Sequence, residues 1–421
     1  MVSQPAAWIA RGRAAVRGQA RLRWCDSRCG AQCRTLEERI DPNELLRITG
    51  HAAVTGYTAP KLLWMAEHAP QQLSSAAHLL FPKDFVTWTL TGERVTDYSD
   101  ASNSLLLDLH EATWSTSLVD ALGIDLPAMP PLAESAQTVG SVSRSGADWS
   151  GLTAGTPVAA GAGDSIAAAL GDGMNGPDVI QVVVGSAGNV NCVMDRLLID
   201  AKGRVHTGFF TDRRHFICSA VQQSAGASLK WWSNVTGVDP GTLVKEIDAA
   251  AEPTVYFGPY LCGERTPHLD PDLRGAFVNL NQHTSRGDMT RAILEGVAFS
   301  FRDAFDVFAE MGVAPRRASV SGGGGGSRVW RDIIGAVLGM PIIMGAEDTT
   351  ARGAAMLAAC AAARFDGWEE AIAGWAQESE TATPAPELVD RYRAAHERFR
   401  RLHPSLSNWR GRGERTTDEH G

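Results

Sequence analysis

The stretch Thr156–Val193, TPVAAGAGDSIAAALGDGMNGPDVIQVVVGSAGNVNCV, constrains the fold of this chain more than any other. Thr156–Ala160 is small and apolar and ends at glycines, the pattern of a short buried strand. Gly161-Ala162-Gly163 then turns the backbone so that Asp164 falls just beyond the strand end, and Ser165–Leu170 reads as the start of a helix. In open α/β sheets, ligands bind in the crevice beyond the carboxyl ends of the strands, so an acid placed there can accept a proton. Asp178–Val184 is rich in β-branched residues and predicts a strand. It enters Gly185-Ser186-Ala187-Gly188, and a second short strand follows over Asn189–Val193. A tight glycine turn between strands can aim several backbone N–H groups at one point, forming a nest for phosphate oxygens. A carboxylate followed closely by an anion nest suggests phosphoryl transfer, although an ordinary buried sheet shares the local pattern.

With 421 residues, 44% of them hydrophobic and 21% charged, the chain has room for two or three globular domains. The formal net charge of −9 gives no basic footprint for a nucleic acid. No run of about eighteen apolar residues is present to suggest a membrane span. The seven cysteines are scattered. Cys25, Cys29 and Cys33 are spaced for one helical face, but they lack C-x₂-C spacing and a nearby fourth ligand, which argues against a metal site. Reduced thiols in a cytoplasmic protein are the better reading.

Residues 1–24 are rich in arginine (Arg11, Arg13, Arg17, Arg21, Arg23), with no acid before Asp26. The composition is that of a transit peptide; a non-native or frame-altered leader is the preferred expectation. A helical pattern runs from Asp26 to Arg47, and another helix over Lys61–His68 with Pro60 in its first turn. The acids in Thr96-Asp97-Tyr98-Ser99-Asp100 read as caps and turn formers. Strands are expected at Arg204–Phe210, His215–Val221 and Thr254–Leu261, and a helix over Gln223–Asn234. His268, in the loop Cys262–His268, is a candidate base, though a structural role is the more common one. Ser285 with Asp288 predicts the N-cap of a helix reaching Met311, with Gly296 marking a close backbone approach. Ala318–Val320, the glycines 322–326, a helix from Ser327 to Leu338 and Pro341–Met344 form a β–loop–α–β unit with Gly339 closing the helix. The glycine run fits neither a Walker motif nor G-x-G-x-x-G. Helices are expected at Ala351–Ala363 and Glu387–Leu402, and disorder over residues 404–421.

Together these motifs resemble the FGGY family of carbohydrate kinases over about Leu22 to Leu402. Gly56-Tyr57-Thr58-Ala59-Pro60-Lys61-Leu62-Leu63-Trp64-Met65-Ala66-Glu67-His68 fills the family's first signature. The second spans Gly275 to Glu295, with Asn279 where glycine is usual; asparagine also tolerates positive φ. Phe81-Pro82-Lys83-Asp84-Phe85 and Gly263-Glu264-Arg265-Thr266-Pro267-His268 are similar to the branch of the family that phosphorylates xylulose.

The resemblance implies an α/β fold with two ribonuclease-H-like domains, as in actin, hexokinase and Hsp70 ATPases, around a cleft. Its domains would be an incomplete N-terminal one over 25–173 and a nucleotide-binding one over 178–363, followed by C-terminal helices over 364–403. It implies Asp164 as catalytic base and, through a water, as contact for Mg²⁺. ATP would be bound by Gly185, Ser186 and Gly188, by Gly226 with Lys230, and by Gly322, Gly323, Gly324 and Ser327. Gly326 stands where an arginine is common. Trp24, Asp26 and Arg28 match a segment bordering the sugar pocket, with Asp26 and Arg28 as substrate contacts. The family's opening Asp-x-Gly-Thr phosphate loop is not found, so a truncated front is the expectation. The implied activity is ATP-dependent phosphorylation of xylulose. A catalytically impaired nucleotide-binding chain, or a kinase for another ketose, gluconate or glycerol, are the alternatives. The implied partners are ATP and a small sugar, with no nucleic acid and no membrane, and with a homodimer left open.

Overall fold

The structure, a computed structural model, describes residues 8–11, 14–15, 26–248, 252–345, 348–375 and 381–409. Trp24 and Cys25 lie outside the described residues. The chain divides into two compact units, neither contiguous: Met1–Asn175, Val193–Cys218 and Asp348–Ala376 in the first, Gly176–Cys192, Ser219–Glu347 and Gln377–Gly421 in the second. Segments distant in sequence thus pack back onto each unit.

In the first unit the helices Gly30–Arg39, Pro42–Thr49 and Thr58–His68 enclose a core of Leu36, Leu45, Ile48, Leu62, Leu63, Leu79, Leu105 and Leu118. The single helix expected over 26–47 is thus two. Asp41 caps the second of them by accepting from Asn43 N and Glu44 N, and Pro42 occupies its first position. Cys29 and Cys33, at the start of the first helix, are buried thiols. Part of the basic leader is ordered strand: Trp8–Arg11 pairs antiparallel with His78–Leu80.

The Asp164 helix, Asp164–Gly171, packs on Thr349–Ala361 at backbone distance. A Cβ on Gly171 would fall 1.9 Å from the Thr349 carbonyl oxygen, and one on Gly353 1.8 Å from that of Ala167. This contact ties the late segment 348–375 to the first unit, as does Trp368, whose Nε1 donates to Asp212 Oδ2 at 3.0 Å.

The second unit contributes neighbouring strands of a seven-stranded sheet, in the order Phe216–Gln222, Gly188–Met194, Val179–Val184, Arg317–Ser321, Ile342–Met344, Thr381–Ala382. Val179–Val184 pairs antiparallel with Gly188–Met194 and parallel with Arg317–Ser321, which is parallel to Ile342–Met344. The antiparallel hairpin partner on one side of Val179–Val184 and two successive parallel strands on the other give the ribonuclease-H-like order. The long helix Arg286–Glu310 opens with the capping box read from sequence: Ser285 Oγ accepts from Asp288 N, and Asp288 Oδ2 accepts from Ser285 N. At Gly296 a Cβ would lie 2.1 Å from the Phe257 carbonyl oxygen, so the helix meets the neighbouring strand backbone there. Asn279 takes a φ of +68°, the conformation that lets it stand in for glycine. The last segment is less disordered than expected, since Leu402–Trp409 is a helix; residues 410–421 lie outside the described residues.

The helix Pro386–Phe399 is fastened to the long helix by buried polar pairs. Arg291 Nε donates to Glu295 Oε1 at 2.6 Å, and Tyr392 OH donates to the same oxygen at 2.9 Å. His396 Nε2 lies 2.8 Å from Asp303 Oδ1. Glu295→Ala would leave a buried guanidinium without its carboxylate. Denaturant unfolding should show a loss of about 3–5 kcal/mol, against about 1 kcal/mol for Tyr392→Phe, which removes one hydrogen bond.

Candidate active site

In the second unit, three glycine-rich segments meet at one end of the sheet. The strands Val179–Val184 and Gly188–Met194 close a hairpin whose last pair is Val184↔Gly188, so Gly185, Ser186 and Ala187 form its tip. Ala225 N and Ala227 N donate to Ser186 O at 2.9 and 3.1 Å, and Gly226 N donates to Gly185 O at 2.8 Å. A Cβ on Gly226 would stand 2.6 Å from Gly185 O. Gly322, at φ +80°, and Gly324 lie against Val184: added Cβ atoms would sit 2.9 Å from its backbone and 2.4 Å from its Cγ1. At Gly188 a Cβ would meet the Phe301 ring at 2.4 Å. Glycine is therefore required on both sides of the hairpin by close approach.

Gly323, by contrast, faces open space. Ser327 caps the helix Arg328–Leu338, its Oγ accepting from Trp330 N at 3.4 Å, and Arg331 Nη1 donates to Gly325 O at 2.6 Å, holding the glycine turn from behind. Ser186 is exposed at the hairpin tip and Lys230 on the helix Gly226–Thr236. The structure thus gathers Gly185, Ser186, Gly188, Gly226, Gly322, Gly323 and Gly324 around one small region of exposed backbone, a shape suited to an anion.

In the first unit the strand before Asp164 is Pro157–Ala159, paired antiparallel with Thr138–Ser141. Its side chains are exposed or half-buried, so the expectation of a buried strand is corrected: small residues here serve a thin two-stranded edge. Asp164 is the first residue of its helix and is exposed; its Oδ1 accepts from Ser165 N at 2.7 Å. Gly161, at φ +79°, supplies the turn.

Behind this turn lies a cluster that the sequence pattern does not reveal. Lys83 Nζ is 2.6 Å from Asp84 Oδ1, 2.9 Å from Asp97 Oδ1 and 3.8 Å from Asp100 Oδ2. Burial works against the Lys83 ammonium, but Asp97, Asp84 and Asp100 outweigh it and raise its pKa. Burial pushes the Asp100 carboxyl up to about 7; Lys83 opposes this, while Asp97, Asp84 and Asp164 add to it. Asp97 does cap the helix Tyr98–Ser102, as its sequence suggests, yet it also belongs to this cluster. In Phe81-Pro82-Lys83-Asp84 a lysine and an acid opening a helix after proline have the local pattern of surface groups, so burial of the Asp84 carboxylate and its pairing with Lys83 come from the tertiary fold.

Asp26 and Arg28 pair with each other, Nη2 to Oδ2 at 2.6 Å, and the Arg28 guanidinium rests over the Trp64 ring at 4.5 Å. Among the described residues neither bonds to Asp164. His268 stacks on His403 with ring centroids 3.8 Å apart, and burial pushes its pKa down to about 4. It is a neutral packing residue near pH 7.

Glu264, in the same loop, is buried, and its carboxyl is pushed up to about 8 by burial. The fold thus retains a proton that the unfolded chain releases near the ordinary value of 4.5. The unfolded state binds fewer protons across that window, so this group's stabilising contribution falls as pH rises from about 4.5 to about 8. Glu264→Gln should gain thermal stability over the parent at pH 8 and show little gain at pH 5 in parallel melts.

The chain matches the FGGY family of carbohydrate kinases, N-terminal domain, over residues 19–171 and C-terminal domain over 184–362. It belongs to that family. Its curated relatives include a xylulose kinase of Escherichia coli, 32% identical over 389 residues that cover 91% of this chain and 79% of that protein. Another is a xylulose kinase of Lactococcus lactis, 32% identical with 91% and 78% coverage. Among solved structures, a xyloylose kinase from Brucella ovis superposes with a TM-score of 0.89 at 32% identity, covering 96% of this chain and 83% of that one. Two ribonuclease-H-like domains are the fold of this chain.

Proposed function

We infer that this chain is an ATP-dependent xylulose kinase that makes xylulose 5-phosphate, with Asp164 as its base. The observation that carries the sugar assignment is the 32% identity to xylulose kinases across 91% of the chain. An exposed carboxylate at a glycine turn supports the choice of base.

Asp164 takes the proton of the attacking hydroxyl as its oxygen bonds to the γ-phosphorus and the bond to the leaving ADP breaks. Backbone amides at Gly185–Gly188, with Gly226 beside them, take the negative charge of the phosphate oxygens. Gly322, Gly323, Gly324 and Ser327 hold the nucleoside end, and Lys230 adds a positive charge one turn into its helix. Asp26 and Arg28 serve the sugar. Asp164, with Asp100 among its charged neighbours, offers the hard oxygen donors that suit Mg²⁺, and Asp164 would hold the ion through a water. When bound, the ion supplies charge neutralisation at the phosphates. The cysteines described here are free thiols, which suits a reducing compartment, the cytoplasm.

A coupled assay of ADP release with a panel of xylulose, ribulose, gluconate and glycerol tests the reading. Xylulose should give the highest kcat/KM. Another sugar preferred over it would move the assignment within the family. Absence of sugar-dependent ADP from folded protein would favour an impaired nucleotide-binding chain.

A further inference from the structure

The turn that presents Asp164 is held at two amides, and both holds lead to one carboxylate. Gly163 N donates to Ser99 Oγ at 3.0 Å, and Gly161 N donates to Ser135 O at 3.0 Å. Ser99 Oγ donates to Asp97 Oδ2 at 2.5 Å, and Ser135 Oγ donates to the same oxygen at 2.8 Å. The other oxygen of Asp97 is on Lys83 Nζ, which also binds Asp84 Oδ1. Asp84 Oδ2 in turn accepts from Phe81 N at 2.9 Å. Ser99, Ser135, Asp97 and Asp84 are all buried.

A backbone turn of small residues has little packing of its own to fix it. Gly161-Ala162-Gly163 is such a turn, and a base must sit within a fraction of an ångström of its proton. The two holds on the turn are neutral hydrogen bonds, to a serine hydroxyl and to a main-chain carbonyl. The links behind them, from both serines to Asp97 and from Asp97 to Lys83, have a buried carboxylate as acceptor or partner, the stronger class of such contacts. The serines are shared: each holds one end of the turn and spends its hydroxyl hydrogen on Asp97.

We propose that Ser99 is a positioning residue for phosphoryl transfer, and that with Ser135, Asp97 and Lys83 it fixes the Gly161–Gly163 turn so that the Asp164 carboxylate stands where the sugar hydroxyl is deprotonated. This rests on the reading of Asp164 as the base. The role differs from general stabilisation because Ser99 touches the turn through a single oxygen atom, which accepts from the amide of Gly163, the residue before Asp164.

Ser99→Ala removes that oxygen and little else. Its kcat should fall about 10–100-fold, since a displacement near 1 Å can cost about 10²-fold, while KM for xylulose and for ATP stay within about twofold. Ser99→Thr, which keeps the hydroxyl, should recover kcat to within about threefold. Ser135→Ala keeps the carbonyl that accepts from Gly161 N and loses only the hydroxyl on Asp97, so it should lower kcat by a smaller factor, and it serves if the first variant does not fold. Retention of parental kcat by folded Ser99→Ala or Ser135→Ala overturns the proposal. So does a loss confined to KM, or one that threonine does not repair. Asp164→Asn, assayed beside them, separates the two readings: if it keeps turnover, the base assignment fails. If it is inactive while Ser99→Ala turns over normally, the positioning role alone fails.

Discussion

Asp164→Asn is expected to lower kcat for sugar phosphorylation by about 10²–10⁴-fold, the usual worth of a positioned general base, with ATP affinity within about twofold of the parent. Asparagine keeps the size and the side-chain carbonyl that can accept from Ser165 N, so the start of the helix Asp164–Gly171 is preserved. What it loses is the capacity to take a proton. Nucleotide affinity is expected to hold because the glycine segments around Gly185 and Gly322 depend on their own contacts, among them Gly226 N on Gly185 O and Arg331 on Gly325 O. Steady-state kinetics and titration calorimetry with a non-hydrolysable ATP analogue would separate the two effects.

Gly353→Ala should be the most damaging conservative change in the first unit. The added methyl carbon would begin 1.8 Å from the Ala167 carbonyl oxygen and must reach at least 3.0 Å. The obstruction is backbone rather than a flexible side chain, so the two helices have to part by more than an ångström. Overpacking of this kind costs about 1–3 kcal/mol, at times more. The helix being pushed is the one that Asp164 opens, so turnover should fall further than the population of unfolded protein explains. Denaturant melts and kcat measured on the folded fraction would show both. An alanine variant with parental stability would mean that the contact is looser than its glycines imply. Gly171→Ala, on the opposite helix, should behave alike for the same reason.

Features set by local chemistry were readable from the chain itself. The positive φ of Asn279 follows from the resemblance to a signature with glycine there, whereas the hairpin at Gly185–Gly188, the Ser285–Asp288 cap and the close approach at Gly296 each follow from a few adjacent residues. The same holds for Asp164 at the head of its helix. What was not readable depends on residues far apart in the chain. Asp97 looks like a cap and is one, but nothing near it in sequence announces Lys83 or Ser135 as partners. Burial of the strand at Pro157–Ala159 does not follow from its composition, because small apolar residues suit both a core strand and a thin edge ribbon. The division into units also escaped a linear reading, since it is made by contacts such as Gly171 with Gly353 and Glu295 with Tyr392.

The central claim is that this chain moves the terminal phosphate of ATP onto a pentulose and that Asp164 takes up the proton released. Mass spectrometry of the products formed from ATP, Mg²⁺ and xylulose tests it most directly. The account predicts a pentulose monophosphate appearing mole for mole with ADP in the parent and nearly absent with Asp164→Asn. ADP accompanied only by inorganic phosphate, or equal sugar phosphate from both proteins, would contradict it.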